Sequence, residues 1–292
     1  MEFKLDIAIV GAQKCGTTTL FYILCTHPRI AGCTPKEPHY FSLALEQRPS
    51  LDSYRGLFGD WQHRLTLDAS TSYTFSPWVN NRTWEALHAH NPDMKMLYIV
   101  RHPVERMVSA YMHLFERGYS DEPDLRSELK KDANILVTTQ YASQIRPFID
   151  AFGRDQVEIL FLEDLVQHKD TVIDRLADFL ALDAAGFGRE SIHANDSIAE
   201  QKPHIKYDDP GLLYQAIQRF VPGLWWRLVD NRHRSFAARP RVDAELEADL
   251  LAMLDLEISE LERLTGRSLA HWRTPKLAVP VAERPQPFDL AG

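Results

Sequence analysis

Apolar positions along the chain alternate between short β-branched runs and amphipathic stretches. Ile7-Ala8-Ile9-Val10 is a continuous apolar run of strand length, and the apolar stretch from Leu20 to Leu24 reads as a helix. Cys25-Thr26-His27-Pro28 stops that helix, because proline disfavours helical geometry in the residue before it. Ser50 to Trp61 predicts a short helix ending near Gly59, Leu65 to Tyr73 a strand passing into a hydroxyl-rich loop, and Asn80 to His90 a helix. Met96 to Val100 is a second buried strand; it ends at Arg101, and Pro103 stands where a helix begins. Further on, Tyr141 to Phe152 predicts a helix closed by Gly153, Val157 to Phe161 a strand, and Thr171 to Leu180 a helix. Val242 to Leu264 reads as one helix with Leu246, Leu250, Leu254 and Leu261 on its apolar side. Strands alternating with helices predict an α/β fold, a doubly wound parallel sheet flanked by helices in a single domain.

Composition narrows the class. The 292 residues carry a net charge of −8, which argues against a nucleic-acid partner. No apolar run approaches the ~20 residues that span a bilayer, so no transmembrane segment is expected. Met1 to Asp6 has no apolar core of an export signal. The three cysteines, Cys15, Cys25 and Cys33, crowd the first segment at no metal-ligand spacing, which predicts reduced thiols and a cytoplasmic protein. Residues 186–210 lack periodicity and read as a lid over an acceptor. Trp225 and Trp226 split between core and acceptor lining. The tail 273–292, with Pro275, Pro280, Pro285 and Pro287, reads as extended chain beyond a domain of residues 1–272.

Candidate chemistry begins at Gly11-Ala12-Gln13-Lys14-Cys15-Gly16-Thr17-Thr18-Thr19. Strand, glycine-bracketed loop and helix together aim backbone N–H groups and a helix N-terminus at a phosphate. A triphosphate P-loop is G-x-x-x-x-G-K-[ST]; here Thr17 takes the lysine position and Lys14 lies inside the loop. The anion it neutralises therefore sits lower than a γ-phosphate. The pattern G-x-G-x-x-G is absent, which argues against a dinucleotide site. Arg101 ends the second strand, where a nucleotide triphosphatase places a Mg²⁺-binding aspartate. Its planar fork suits a terminal phosphate bound without metal. On spacing alone Ser109 reads as a small helix residue and Arg106 as a surface or salt-bridging one. The proline-rich loop Thr34 to Phe41 carries Glu37 and His39, with Tyr40 and Phe41 as core anchors. Asp68 either orients a substrate group or caps the next turn. His88 and His90 fall on different helix faces, so no metal site is expected there.

The chain resembles sulfotransferases that use 3′-phosphoadenosine 5′-phosphosulfate, in their bacterial and heparan-sulfate-type branch. Gln13-Lys14-Cys15-Gly16-Thr17-Thr18 resembles the family's 5′-phosphosulfate loop, and Val100-Arg101-His102-Pro103-Val104-Glu105-Arg106 through Ser109 its 3′-phosphate motif. Pro35-Lys36-Glu37-Pro38-His39-Tyr40-Phe41 resembles its catalytic-glutamate loop, and Leu261 to Trp272 the closing helix and tryptophan of bacterial members. The resemblance implies a P-loop-like fold and in-line sulfuryl transfer to an acceptor hydroxyl. It implies a cofactor-binding set of Lys14, Cys15, Gly16, Thr17, Thr18, Thr19, Arg101 and Ser109, with adenosine 3′,5′-bisphosphate as product. Lys14 would meet charge on the leaving oxygen. Glu37 would deprotonate the acceptor, with His39 as the alternative base. The chain departs from the pattern in three places. Ala69 stands in the strand-end motif where some members carry a lysine. No cysteine after Cys33 can clip a hairpin. The late cofactor loop has only Lys202, Arg239 and Arg241 as candidates, from a segment with five arginines between Trp225 and Arg241. A nucleotide-dependent phosphotransferase and a non-catalytic nucleotide-binding module are the alternatives. Carbohydrate, lipid and small-metabolite acceptors all fit.

Overall fold

The computed structural model describes residues 3–76, 82–189, 236 and 238–275. Lys202, Trp225, Trp226, three of the five late arginines, most of the expected lid and the tail from residue 276 lie outside the described residues. Five strands, β1 (Ile7–Gly11), β2 (Ile30–Gly32), β3 (Leu65–Asp68), β4 (Lys95–Val100) and β5 (Val157–Phe161), form one parallel sheet in the order β2-β3-β1-β4-β5. The described helices are α1 (Thr17–Cys25), α2 (Leu51–Arg55), α3 (Thr83–His90), α4 (Pro103–Glu116), α5 (Leu125–Lys131), α6 (Asn134–Val137), α7 (Tyr141–Phe152), α8 (Leu162–Gln167), α9 (Lys169–Leu180), α10 (Ala244–Met253) and α11 (Asp255–Thr265).

The sheet centre is apolar on both faces, as an all-parallel sheet requires. Every residue of β1 is buried, as are Met96 to Val100 of β4. The turns that follow α1 and α9 meet, with His27 Nε2 3.2 Å from the Asp183 carbonyl. α3 and α11 pack against α7. The chain leaves β1 toward β2 but leaves β4 toward β5. The carboxyl ends of β1 and β4 therefore flank a topological switch point, where open α/β sheets bind ligands. The β1–β4 ladder shifts register between Ile9 and Gly11, which puts Gly11 opposite Tyr98. A side chain at Gly11 would stand 2.2 Å from Thr74 Oγ1 and 2.8 Å from the Tyr98 ring, so only glycine fits there.

Two expectations change, and one strand goes unforeseen. α1 begins at Thr17 rather than Leu20, because Gly16 is left-handed (φ 91°) and turns the chain straight into the helix. The stretch 242–264 is two helices broken at Leu254 (φ −97°, ψ 4°). Among its buried residues, Val242, Leu246, Leu250, Leu254 and Ile258 recur every four positions. On a straight helix that stripe drifts by about 40° per step, and the break returns it to the core. Strand β2 has three residues, too few for a period to register. Trp272 is buried against the rings of His102, Tyr141 and Phe161, at the carboxyl ends of β4 and β5. Among the described residues no helix is long and apolar enough to cross a membrane.

Candidate active site

The loop after β1 is folded by two left-handed residues, Lys14 (φ 67°) and Gly16 (φ 91°). A Cβ on Gly16 would stand 2.6 Å from Leu162 Cδ1, so this turn has neither the dihedral nor the room for a side chain. With glycine at the N-cap, no side chain caps α1. Its first N–H groups lack helical acceptors by geometry, and the helix presents its positive end to the crevice. Thr17 is buried at the first helical position; Thr18 and Thr19 are half-exposed. Cys15 is buried, 3.5 Å from the Tyr141 hydroxyl, and burial pushes its thiol up, which makes it structural.

Lys14 is half-buried, and among the described residues its ammonium has no ion-pair partner. Burial pushes it below the ordinary lysine value; Glu116 opposes that, while Arg101, Arg106 and Arg117 add to it. The Arg101 guanidinium reaches the Lys14 carbonyl at 3.4 Å and Glu105 Oε2 at 3.3 Å. Arg239 donates to the same Glu105 oxygen at 2.5 Å and to the Glu105 carbonyl at 3.1 Å. Of the three late-loop candidates, Arg239 thus joins Arg101, while Arg241 is exposed. Ser109 lies one turn past Glu105 on the same face of α4.

Arg106 is the clearest correction. It is 1% exposed and makes no ion pair among the described residues. Its Nε donates to the Gln13 carbonyl at 3.0 Å, and its terminal nitrogen to the Ile135 carbonyl (2.8 Å), Thr138 Oγ1 (2.8 Å) and Thr139 Oγ1 (3.2 Å). It bolts α4 and α6 to the phosphate loop.

The Glu37 loop is held by the hydroxyl-rich stretch after β3. Thr71 Oγ1 donates to Glu37 Oε2 at 3.0 Å, and Lys36 Nζ to Glu37 Oε1 at 2.5 Å. His39 is left-handed (φ 57°), its N–H donates to Ser70 Oγ at 2.9 Å, and its Nδ1 lies 2.7 Å from Ser72 Oγ. Asp68 caps this turn: it is fully buried and accepts from Ser70 N, Ser70 Oγ, Tyr54 and Tyr73 at 2.6–2.9 Å. Tyr40 and Phe41 are buried against Tyr54, as core anchors should be. Burial works to raise the Glu37 carboxyl, but the Lys36 ammonium, with Thr71 and His39, outweighs it and leaves Glu37 below the ordinary value. Lys36 Nζ also donates to the Ala69 carbonyl at 3.2 Å. The end of β3 therefore does meet an amine, delivered by the neighbouring loop.

The sequence reading missed His113 on α4. Its imidazole is pushed down to about 4 by burial, then by Lys14 and Arg117, against the pull of Glu37. It therefore lies within electrostatic range of both Lys14 and Glu37. Glu105, Ser109, His113 and Glu116 are spaced four, four and three apart, a polar stripe along one helix face. That stripe was the available signal.

The sulfotransferase domain model matches residues 4–202. Heparan sulfate glucosamine 3-O-sulfotransferase 3A1 of Mus musculus is 27% identical over 184 residues, covering 60% of this chain and 45% of that protein. Heparan sulfate glucosamine 3-O-sulfotransferase 6 of Homo sapiens is 34% identical over 104 residues, 35% of this chain and 28% of its own length. The chain spans less than half the length of these relatives. A sulfotransferase crystal structure from Alicyclobacillus acidocaldarius superposes with a TM-score of 0.67 at 23% identity, covering 94% of this chain and all of the other, a likeness of fold.

Proposed function

The chain belongs to the sulfotransferase domain family, and on that premise we propose that it moves a sulfuryl group from 3′-phosphoadenosine 5′-phosphosulfate to an acceptor hydroxyl. The observation that carries this reading is the pair of cationic positions joined through Lys14: its ammonium in the β1 loop, without an ion-pair partner among the described residues, and Arg101 with Arg239 at the end of β4. Two cationic positions, one in the loop after β1 and one at the end of β4, suit a ligand with a phosphosulfate at one end and a phosphate at the other. The left-handed loop, closed to any side chain at Gly16, supports a close backbone approach to an anion. The donor supplies the activated sulfuryl group and leaves as adenosine 3′,5′-bisphosphate.

Lys14 and the N–H groups of Gly16 to Thr18 hold the 5′ end, where Lys14 meets the charge that builds on the leaving oxygen. Arg101, Arg239 and Ser109 hold the 3′-phosphate, and Glu105 releases both guanidiniums to it. Glu37 takes the acceptor proton, a contribution of roughly 10²–10⁴-fold for a positioned base. His39 is the weaker choice because its ring is exposed and tied to Ser72. A carbohydrate hydroxyl is the first acceptor to try, since the relatives are glucosamine sulfotransferases by name. We take residues 1–272 as one catalytic domain and 273–292 as a tail. Free thiols at Cys15, Cys25 and Cys33 support a cytoplasmic setting.

Calorimetric titration with adenosine 3′,5′-bisphosphate, without added metal, tests the reading on wild type and Arg101→Ala. Micromolar binding lost in the variant is the expected result. Binding of Mg-ATP but not of the bisphosphate would replace the reading with a phosphotransferase. Bisphosphate binding with no transfer of labelled sulfate to a broad acceptor panel would leave a binding module.

A further inference from the structure

Glu37 presents a difficulty for a general base. Both its oxygens are engaged at rest, Oε1 by Lys36 and Oε2 by Thr71. A bound sulfuryl donor would add negative charge nearby, and like charge drives a carboxylate to take a proton from solvent. A base already protonated from solvent cannot accept the proton of a hydroxyl.

Lys36 answers this by where it is fixed. Its carbonyl accepts from Ala69 N–H at 3.3 Å and from Cys33 Sγ at 3.2 Å, and its ammonium donates back to the Ala69 carbonyl at 3.2 Å. The residue is clamped to the end of β3 by main chain and side chain together, with its side chain only 14% exposed. The charged and titratable groups facing Glu37 can be counted by element. Its own loop gives Lys36 and His39, and the turn after β3 gives the neutral Thr71. α4 gives His113, with Lys14 of the phosphate loop acting on that ring. His113 titrates at about 4 and is neutral at working pH. His39 is exposed and occupied with Ser72. Lys36 is the lysine in direct contact with the carboxylate.

We propose that Lys36 is a positioning residue for Glu37, keeping its carboxylate ionised and fixed in orientation while an anionic donor lies in the β1 loop. When the acceptor O–H bond breaks, the proton moves to Glu37 and the oxygen's electron pair forms the new bond to sulfur. Neutralising Glu37 then ends its attraction for Lys36, whose ammonium stays on the Ala69 carbonyl. The proposal rests on Glu37 being the base.

The test uses Lys36→Gln, which can still donate to the Ala69 carbonyl but carries no charge, and Lys36→Arg, which keeps the charge. The Glu37 carboxylate is followed by infrared difference spectroscopy against Glu37→Gln over a pH series, with and without adenosine 3′,5′-bisphosphate. In Lys36→Gln the carboxylate midpoint should rise by about 1–3 pH units, the size expected for losing an adjacent opposite charge. The acid limb of kcat/KM should move with it, and Lys36→Arg should restore both. Bisphosphate affinity, read by calorimetry, should stay within about twofold in both variants. An unmoved midpoint in Lys36→Gln overturns the proposal, as does a uniform activity loss with no shift of the limb. Substantial turnover by Glu37→Gln would instead defeat the assignment of the base, and failure of wild type to bind the bisphosphate would defeat the donor reading.

Discussion

Replacing Arg106 by methionine removes the guanidinium that fastens the phosphate loop to α4 and α6. The cost follows from what each of its four acceptors has left. Thr138 and Thr139 keep partners, since their hydroxyls donate to the Asn134 and Ile135 carbonyls at 2.6 Å each. The Ile135 carbonyl keeps that bond from Thr139. Only the Gln13 carbonyl is stranded, with the Cys15 thiol 3.8 Å away as its remaining side-chain contact. An orphaned buried acceptor costs about 1–3 kcal/mol, and a lost hydrogen bond to a charged donor about 1.5–3. Relief of a buried charge returns part of this, and methionine refills part of the volume. The expected net loss is about 2–4 kcal/mol. At an m-value of about 3 kcal/mol/M this moves the urea midpoint down by roughly 1 M, readable through tryptophan fluorescence. Arg101→Met should behave in the opposite way. Its contacts at 3.4 and 3.3 Å are long, so stability should stay within about 0.5 kcal/mol. Bisphosphate affinity should fall roughly 10²-fold, the worth of one or two charge-assisted bonds. A stable Arg106→Met, or an Arg101→Met that binds as wild type, would refute this division of labour.

Gly16→Ala should cost about 1–2 kcal/mol for the left-handed backbone alone, more from the contact with Leu162, and should weaken bisphosphate binding by at least tenfold in calorimetry. His113 is neutral in the fold down to about pH 4 but protonates near 6.5 in the unfolded chain. The unfolded state thus binds more protons between those values, and stability falls as pH drops through that window. His113→Gln should flatten that slope in urea titrations at pH 7 and pH 5; an unchanged slope would remove His113 as its source. Glu37 has the usual depressed carboxylate value, so the stability it contributes is present above its unfolded value and lost as pH falls through the folded one, a loss Glu37→Gln should abolish. Glu105→Gln frees Arg101 and Arg239 from a competing carboxylate and should tighten bisphosphate binding several-fold; weaker binding would mean that Glu105 orients the guanidiniums more than it competes for them.

What the sequence disclosed depended on how local the signal was. β1, β4, β5 and α7 were legible because each is a single run of one period, and Gly153 ends α7 where it stands in the sequence. The tight turn after β1 and the place of Arg101 at the end of β4 were legible because two spaced glycines and a strand ending in a guanidinium are local marks. Arg106 was misread because a charge inside an amphipathic helix looks the same whether its acceptors are water or carbonyls; only the docking of α4 on the loop decides. Arg239 carries no local mark, and its meeting with Glu105 spans 134 residues. His113 lay on a visible polar stripe, but which object the stripe faced was set by the packing of α4 rather than by its sequence.

The hydroxyl-rich turn after β3 links both halves of the site. Ser70 holds the His39 N–H, Thr71 holds Glu37, Ser72 holds the His39 ring and Ser42, and Tyr73 reaches Asp68. Thr74 donates to the Val10 carbonyl at 2.7 Å, at the base of the phosphate loop. Five consecutive side chains thus tie the Glu37 loop and the loop after β1 to the end of one strand, anchored by a buried carboxylate. In-line transfer needs acceptor oxygen, sulfur and leaving oxygen held in one line, and small misplacements are costly in rate. A tether this short sets the position of the base relative to the loop within the fold itself, before any ligand arrives. Asp68→Asn should accordingly lower turnover more than its distance from the acceptor would imply, through kcat with little change in bisphosphate affinity. Equal losses in kcat and in affinity would mean that the whole strand end had collapsed rather than that the base had drifted.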